Sequence, residues 1–451
     1  MALKINIITL GCSKNTSDSE HLAGHWAKAG LKVYFDRTHN DCDTVIVNTC
    51  GFIGDAKEES VNVLVEQCKA KADFNRRHKR DGKCRKLIAI GCLVERYRDE
   101  LAQELPEVDE WYGTHEWETI LGLHDGDFES RRLQSTPKHY AYLKIAEGCD
   151  RHCSYCAIPL IRGRHVSRPM DDIVQEAKQM TQNGVKELII IAQDTTYYGL
   201  DLYGERRLAD LMERLAQESG AQWIRLHYTY PSNFPMEVLD VMQRHDNICK
   251  YIDIPLQHID SKILASMHRG IDKEGTIALL DQIRAKLPDV SIRTTLIVGY
   301  PGESAEAYER LKQFVAKARF DRLGVFAYSP EENTDAYRLG DPVDEEEKNR
   351  RVSELMAIQE QISLENNQRK AGKTLKVIID RREGNYLVGR TEYDSPEVDD
   401  EVLIKTKCDT RAKPGDFCIV KITDAFENDI IGTIVEPRSK KQQQRNKKHT
   451  E

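Results

Sequence analysis

Short β-branched runs alternate with amphipathic helical stretches over most of this 451-residue chain, and this alternation constrains the fold more than any other feature. From Tyr140 onward the strand-like runs are AYLKIAEGC, ELIIIAQDTT, WIRLHYTYP, YIDIPLQH, SIRTTLIVGY and RLGVFAYSP. Helical stretches such as DDIVQEAKQM and AEAYERLKQFVAKA separate them. Strands that alternate with helices indicate a parallel sheet covered by helices. About six such units predict a partial or full α/β barrel over residues 136–371.

Different patterns flank this barrel on both sides. In residues 1–125 the runs INIITLGC, DTVIVNTC and KLIAIGC alternate with helical stretches over 18–28 and 55–72, which predicts an open parallel α/β domain. The polar segment 123–140 is typical of a linker. Residues 372–438 contain short strands and turns, which predicts a small all-β barrel. The basic end, 439–451, is expected to be disordered.

Composition limits the classes of function that need to be considered. Hydrophobic residues make up 40% of the chain and charged residues 31%. No apolar run approaches the roughly 20 residues needed to span a bilayer, and the first residues do not resemble a signal peptide. We therefore expect a cytoplasmic protein without a membrane partner. The net charge of −8 argues against wholesale binding of nucleic acid. Twelve cysteines are too few for a disulfide scaffold, so cysteines in motifs are more often ligands or catalytic groups.

The most specific motif is EGCDRHCSYCAIP, which follows a predicted strand. Cys149, Cys153 and Cys156 form a C-x3-C-x2-C set, and three thiolates on one loop can hold three irons of a four-iron cluster. The fourth iron is then open to a small chelating ligand. The alternative is a structural zinc site, which needs four closed ligands; His165 is the most plausible fourth ligand for it.

This motif resembles that of the radical S-adenosylmethionine superfamily, including the aromatic residue before the last cysteine, Tyr155. The resemblance implies that S-adenosylmethionine chelates the open iron and is cleaved to a deoxyadenosyl radical. The cofactor then supplies the chemistry, and no side chain is predicted to be catalytic.

Further superfamily motifs occur at predicted strand ends. The resemblance implies that Gln193 and Asp194 contact the methionine amine, and that Gly299 and Glu303, in TLIVGYPGE, lie where the adenine binds. Arg225 is a further candidate for cofactor binding. The alternative for Asp194 is a helix N-cap, and the alternative for Arg225 is an ion pair with a carboxylate.

Three more cysteines occupy equivalent positions in the amino-terminal domain. Cys12, Cys50 and Cys92 each end a strand-like run. Because parallel strands place their carboxyl ends along one edge, these side chains are predicted to converge on one crevice. The alternative is that they are buried as small hydrophobic residues. The other six cysteines show no such equivalence.

The segments GCSKN and NTCGF, and the order of the domains, resemble the methylthiotransferase family over essentially the whole chain. The resemblance implies a second 4Fe-4S cluster on Cys12, Cys50 and Cys92. It also implies that one S-adenosylmethionine methylates a sulfur held there and that a second supplies the radical. A flavodoxin- or ferredoxin-type protein would be the reductant.

Members of this family act on two kinds of substrate. One branch modifies the β-carbon of an aspartate on the twelfth protein of the small ribosomal subunit, and another modifies a tRNA adenosine beside the anticodon. The carboxyl-terminal module resembles a TRAM domain, which often binds RNA. Residues 372–437, however, contain ten Lys or Arg and fourteen Asp or Glu, and an RNA-binding surface should be basic.

The loop YDSPEVDDE contributes much of this negative charge. We expect its carboxylates to repel tRNA and attract the basic ribosomal protein, although charged loops are often merely solvated. The candidate partner-binding residues are Asp394, Glu397, Asp399, Asp400 and Glu401.

Two other classes of protein remain as alternatives. A two-cluster electron carrier would not cleave S-adenosylmethionine. A zinc-stabilised RNA-binding protein would contain zinc rather than iron. If the methylthiotransferase hypothesis is correct, Arg162 and Arg168 are candidates for orienting the target aspartate.

Overall fold

The computed structural model describes residues 3–38, 41–122, 131–405 and 411–435. The amino-terminal part is a five-stranded parallel sheet of order β2-β1-β3-β4-β5. Its elements are β1 (Lys4–Thr9), α1 (Ser13–Lys28), β2 (Lys32–Phe35), β3 (Thr44–Thr49), α2 (Gly54–Arg77), β4 (Lys86–Gly91), α3 (Cys92–Glu104), β5 (Glu110–Tyr112) and α4 (Trp117–Leu121).

Helices cover both faces of this sheet because side chains alternate along each strand. Ile46 of β3 packs with Leu22 of α1 on one face, whereas Val45 and Val47 pack with Leu64 of α2 on the other. Each face therefore has its own apolar core, as expected for a doubly covered parallel sheet.

The central part is a six-stranded parallel sheet of order β13-β12-β11-β10-β9-β6. Its elements are β6 (Tyr140–Lys144), β7 (Ala146–Glu147), α5 (Ile158–Arg162), β8 (Val166–Ser167), α6 (Met170–Gln182), β9 (Glu187–Ile191), α7 (Leu200–Tyr203), α8 (Leu208–Glu218), β10 (Trp223–Leu226), α9 (Glu237–Arg244), β11 (Ile248–Asp253), α10 (Ser261–Ser266), α11 (Lys273–Lys286), β12 (Ser291–Val298), α12 (Ala305–Ala318), β13 (Arg322–Ala327) and α13 (Glu345–Gln368). In the described ranges the end strands β13 and β6 do not pair with each other, so this is a partial barrel.

The carboxyl-terminal part is a closed barrel of order β14-β15-β16-β18-β17. Its strands are β14 (Thr374–Glu383), β15 (Tyr386–Thr391), β16 (Glu401–Lys405), β17 (Phe417–Ala425) and β18 (Asp429–Ile434). Apolar side chains such as Val377, Val402 and Ile422 fill its interior. The predicted fold class, with its three architectures, is confirmed. The basic tail, 439–451, lies outside the described residues. None of the helices that the structure describes is long and apolar enough to cross a membrane.

Part of the predicted linker is an ordered strap on the amino-terminal domain. Residues 123–130 lie outside the described ranges, but Arg132 forms an ion pair with Glu20 of α1, and the Leu133 N–H donates to the Glu20 carbonyl. Gly24 of α1 faces this strap, because a Cβ on Gly24 would lie 2.4 Å from the Arg132 nitrogen. Arg132 also forms an ion pair with Glu176 of α6 at 3.0 Å, so the strap connects the first sheet to the partial barrel.

The segment between β15 and β16, residues 392–400, closes the amino-terminal end of the partial barrel, and we call it the plug loop. Asp394 pairs with Arg322, the first residue of β13. The Tyr251 hydroxyl of β11 donates to Asp399 at 2.7 Å. The plug loop therefore lies at the opposite end of the strands from the cysteine motifs, which follow the carboxyl ends.

Candidate active site

A cavity of about 580 Å³ lies between the carboxyl ends of the two parallel sheets. All six cysteines of the two predicted sets line it: Cys12, Cys50, Cys92, Cys149, Cys153 and Cys156. The structure thus brings two sets from different domains to one shared space.

The amino-terminal set converges because β1, β3 and β4 are neighbours in one parallel sheet. Cys12 precedes the first residue of α1, Cys50 follows β3, and Cys92 begins α3. Gly11 has a φ of +85°, and a Cβ there would lie 2.7 Å from the Cys50 sulfur. A glycine is therefore required for the strand ends to approach this closely.

The second set lies on the loop after β7. Arg269 donates to the Cys153 sulfur at 3.3 Å, and the Tyr230 hydroxyl lies 3.4 Å from the same atom. The backbone N–H of Arg151 donates to the Cys149 sulfur at 3.4 Å. These donors stabilise negative charge on the sulfurs, as thiolate ligands require.

Burial decides the protonation of these thiols when no metal is bound. It raises the pKa of Cys50 and of Cys149 to about 12, and it also raises the pKa of Cys92 and of Cys156. Thiols of this kind are protonated at neutral pH, and a metal that binds them replaces the proton. We expect both sets to be ligand sites that release protons on loading.

The donors fit iron–sulfur clusters better than a single metal ion. Within the described ranges, no three or more His, Cys, Asp or Glu side chains are close enough to hold one ion. His165, the proposed fourth zinc ligand, places Nε2 3.1 Å from the Ser167 hydroxyl and does not line the cavity. Three thiols around an open space are the donor set of a cluster with one iron left free.

Arg162 connects the two sets electrostatically. It ends α5, which follows the second set, and its Nη2 donates to the Cys92 sulfur of the first set at 3.3 Å. Nη1 donates to Asp18 at 2.7 Å, and Lys144 donates to the other oxygen of Asp18 at 2.6 Å. This buried network holds the domains together beneath the cavity. The Arg162 guanidinium therefore already has hydrogen-bond partners within the chain. Arg168, the other arginine predicted to orient the target aspartate, likewise forms an ion pair with Glu176.

Three of the predicted cofactor-binding residues line the cavity: Tyr155, Gln193 and Asp194. Gln193 donates to Glu147 at 2.5 Å, and its own carbonyl oxygen has no partner within the described structure. Asp194 caps the short helical turn 195–197, so the N-cap alternative is correct, and it also accepts from Arg151 at 2.7 Å. Their roles as cofactor ligands stay predictions.

The other three predicted cofactor-binding residues do not line the cavity. Arg225 is fully buried and donates to Glu187 at 2.8 Å, so the ion-pair alternative is correct and the cofactor role is wrong. The buried carboxylate of Glu303 accepts from Arg351 at 2.7 Å and lies 3.1 Å from His258, and the place of Gly299 and Glu303 at the adenine stays a prediction. Gly299, at +75°, donates its N–H to Glu303. Gly299 and Glu303 thus shape the loop after β12.

The prediction of an acidic docking loop is wrong for its three aspartates. The side chains of Asp394 and Asp399 are only 2% and 1% exposed. Asp400 lies 3.0 Å from Arg322, the same guanidinium that pairs with Asp394. Asp399 lies 3.4 Å from Arg293 of β12. Buried carboxylates are stable only beside cations, so these charges are neutralised inside the molecule.

The two glutamates of the same set also have partners. Glu397 accepts from the hydroxyls of Tyr140 and Tyr142 of β6, at 2.8 and 3.2 Å. Glu401 accepts from Arg381 of the same small barrel at 2.8 Å. The plug loop therefore docks the small barrel onto the partial barrel through its buried aspartates. Glu397 is exposed and the Glu401 side chain is 33% exposed, so partner binding by these two glutamates stays a prediction.

Sequence reasoning missed several cationic and aromatic residues of the cavity. Arg151 and Arg269 sit beside the second set, and Lys14 lies over the ring of Tyr228. A signal for Lys14 existed, since it stands two residues after Cys12. Its importance depends on Tyr228, however, which approaches it from the other domain.

Three family models match successive parts of the chain. Residues 143–315 match the model of the radical SAM superfamily, residues 4–113 that of the uncharacterized protein family UPF0004, and residues 371–435 that of the TRAM domain. Among solved structures, the radical S-adenosylmethionine methyltransferase TsrM from Kitasatospora setae, with cobalamin and a 4Fe-4S cluster bound, has a TM-score of 0.52 at 12% identity. That match covers 86% of this chain and 81% of TsrM, and it shows a shared fold.

Curated relatives cover nearly the whole chain. The ribosomal protein uS12 methylthiotransferase RimO of Phocaeicola vulgatus is 51% identical over 436 residues, covering 96% of this chain and 99% of the relative. The protein of the same name from Flavobacterium johnsoniae is 53% identical over 434 residues, covering 95% and 97%.

Proposed function

The chain belongs to the RimO family of ribosomal protein uS12 methylthiotransferases, and we propose that it adds a methylthio group to the β-carbon of an aspartate of uS12. The observation that carries this proposal is the single cavity lined by six cysteines in two sets. A reaction that joins a sulfur to a radical-activated carbon needs both centres beside one substrate position.

The chain's own residues would prepare this position. Cys149, Cys153 and Cys156 would hold one 4Fe-4S cluster, and Cys12, Cys50 and Cys92 a second. When bound, the clusters and S-adenosylmethionine supply the electron, the sulfur, the methyl group and the deoxyadenosyl radical.

Cationic side chains support both sets. Arg269 and Arg162 donate to cysteine sulfurs and so favour the ligating thiolates. Tyr155, Gln193 and Asp194 line the barrel side of the cavity and would orient S-adenosylmethionine there. The enclosing walls would keep water from the radical.

The choice of uS12 over tRNA rests on the relatives and no longer on charge. The small barrel and its flanks carry four more acidic than basic residues, but several of the acids lie in the plug loop and are neutralised by arginines of the partial barrel. We propose that tRNA is not a substrate, that a flavodoxin- or ferredoxin-type protein is the reductant, and that the enzyme works in the cytoplasm. We also propose domain boundaries of 1–125, 136–371 and 372–438.

Mass spectrometry of a deletion strain tests the substrate. We expect uS12 to lose its methylthio group and to regain it when the wild-type gene is restored, while the methylthio content of bulk tRNA stays constant. In the matched control strain, the gene encodes Cys50→Ala. The protein is then present but lacks a ligand of its second cluster. Loss of modification from tRNA alone, with uS12 unchanged, would overturn the proposal.

A further inference from the structure

Four cationic side chains line the cavity: Lys14, Arg151, Arg162 and Arg269. The three arginines already have anionic or sulfur partners. Arg151 donates to Asp194 at 2.7 Å, and Arg162 donates to Asp18 and to a cysteine sulfur. Arg269 likewise donates to a cysteine sulfur.

Lys14 differs from these arginines. Within the described structure, its Nζ has no carboxylate in ion-pair contact and lies 3.1 Å from the centre of the Tyr228 ring. The residue is only 9% exposed. A buried ammonium without a carboxylate partner is costly, and an aromatic face returns only part of that cost.

The surrounding contacts hold this lysine in place. Tyr228 follows β10 with a φ of +56°, and its hydroxyl lies 3.3 Å from the Ser13 hydroxyl. The Tyr228 N–H donates to Asp253 at 3.0 Å. Asp253 is itself paired with Arg293 at 3.2 Å and acts on Lys14 only from beyond ion-pair distance. The ring therefore holds the ammonium at the cavity, where no carboxylate of the described structure is in ion-pair contact with it.

We propose that Lys14 binds the side-chain carboxylate of the target aspartate and so holds its β-carbon in the cavity between the two cysteine sets. This proposal rests on the proposed function and adds a specificity residue to it. A charge-assisted hydrogen bond in an enclosed site favours a carboxylate over an amide or a nucleobase. Asp194, the carboxylate among the described residues that line the cavity, accepts from Arg151 and would repel the substrate carboxylate if it lost that partner.

Binding measurements on the reconstituted enzyme test this role. The dissociation constants of uS12 and of uS12 with the target aspartate replaced by asparagine are compared for each variant. We expect the wild-type enzyme to prefer the aspartate form by about 10- to 100-fold, the range for one charge-assisted hydrogen bond. Lys14→Met should bind both forms equally, and Lys14→Arg should keep part of the preference. Lys69→Met, an exposed lysine of α2, should behave as wild type.

The readouts separate the possible failures. If Lys14→Met keeps the full preference, Lys14 does not bind the carboxylate. If Lys14→Met does not take up iron, the test uses the two dissociation constants of the wild-type enzyme. Equal binding of the two uS12 forms by the wild-type enzyme would overturn the proposal. If the wild-type enzyme does not modify uS12 at all, the proposed function fails instead.

Discussion

Replacing Cys50 by alanine will abolish methylthio transfer to uS12 while deoxyadenosine is still formed from S-adenosylmethionine. Cys50 belongs to the set on the amino-terminal sheet, whereas the set that would serve the radical chemistry lies on a loop of the partial barrel. Loss of one thiolate from the first set leaves the second set intact. Assays of deoxyadenosine and of modified uS12, under strong reductant, measure the two steps separately.

Two further variants complete this test. Cys153→Ala should lose both products, because it removes a ligand from the radical centre. Cys68→Ala is the matched control: Cys68 is a buried cysteine of the same domain as Cys50, it lies on α2 and packs in the apolar core between α2 and the sheet, and it does not line the cavity. Retained methylthio transfer in Cys50→Ala would refute the role of the first set, and undiminished deoxyadenosine in Cys153→Ala would refute that of the second.

The largest loss of stability is expected from Glu187→Gln. Glu187 is fully buried at the start of β9, 2.8 Å from Arg225 of β10 and 2.7 Å from Arg390 of β15. Burial raises the pKa of this carboxyl, but Arg390 and Arg225 outweigh burial and hold it below its ordinary value. Neutralising the carboxylate removes the anion that pairs with the buried Arg225 and one of the two carboxylates that pair with Arg390, which costs about 3–5 kcal/mol.

Denaturant unfolding at neutral pH checks this prediction. Because the folded-state pKa of Glu187 is lowered, its contribution is present above the pKa of the unfolded chain and is lost as the pH falls through the lower, folded value. The difference between Glu187→Gln and wild type should therefore shrink in acid. Glu66→Gln, an exposed carboxylate of α2, is the charge-matched control. Equal stability of the two variants at neutral pH would show that the small barrel does not depend on this network.

The cysteine arrangement could be predicted because it follows from local periodicity. Cys12, Cys50 and Cys92 end strands of a parallel sheet, and parallel strands share one edge, so their convergence needed no knowledge of distant contacts. The sequence could not predict that this sheet edge faces the second cysteine set. It depends on pairs such as Lys144 with Asp18, which are 126 residues apart.

The plug loop shows where sequence reasoning fails. Five acidic residues within 394–401 are typical of a solvated surface. Nothing in the local sequence indicates that Arg293 and Arg322 of the partial barrel form ion pairs with them. Arg225 was misassigned for the same reason, because an arginine at a strand end serves equally well for a cofactor or for Glu187. Long-range charge pairing inside a barrel leaves no periodic signal.

The small barrel is attached to the partial barrel by its plug loop. Its five strands form a closed barrel that matches a TRAM domain, and its plug loop is bound to the partial barrel through Asp394 and Asp399. We therefore interpret the small barrel as a structural module that closes the amino-terminal end of the partial barrel. The substrate cavity lies at the other end, where the two cysteine sets meet.

The iron and sulfide content of the anaerobically reconstituted chain tests the central claim most directly. Two cysteine sets that each hold a four-iron cluster predict about eight irons and eight sulfides per chain, and about four of each when either set is replaced by alanines. About four irons in the fully loaded wild-type chain, unchanged when Cys12, Cys50 and Cys92 are all replaced, would contradict it.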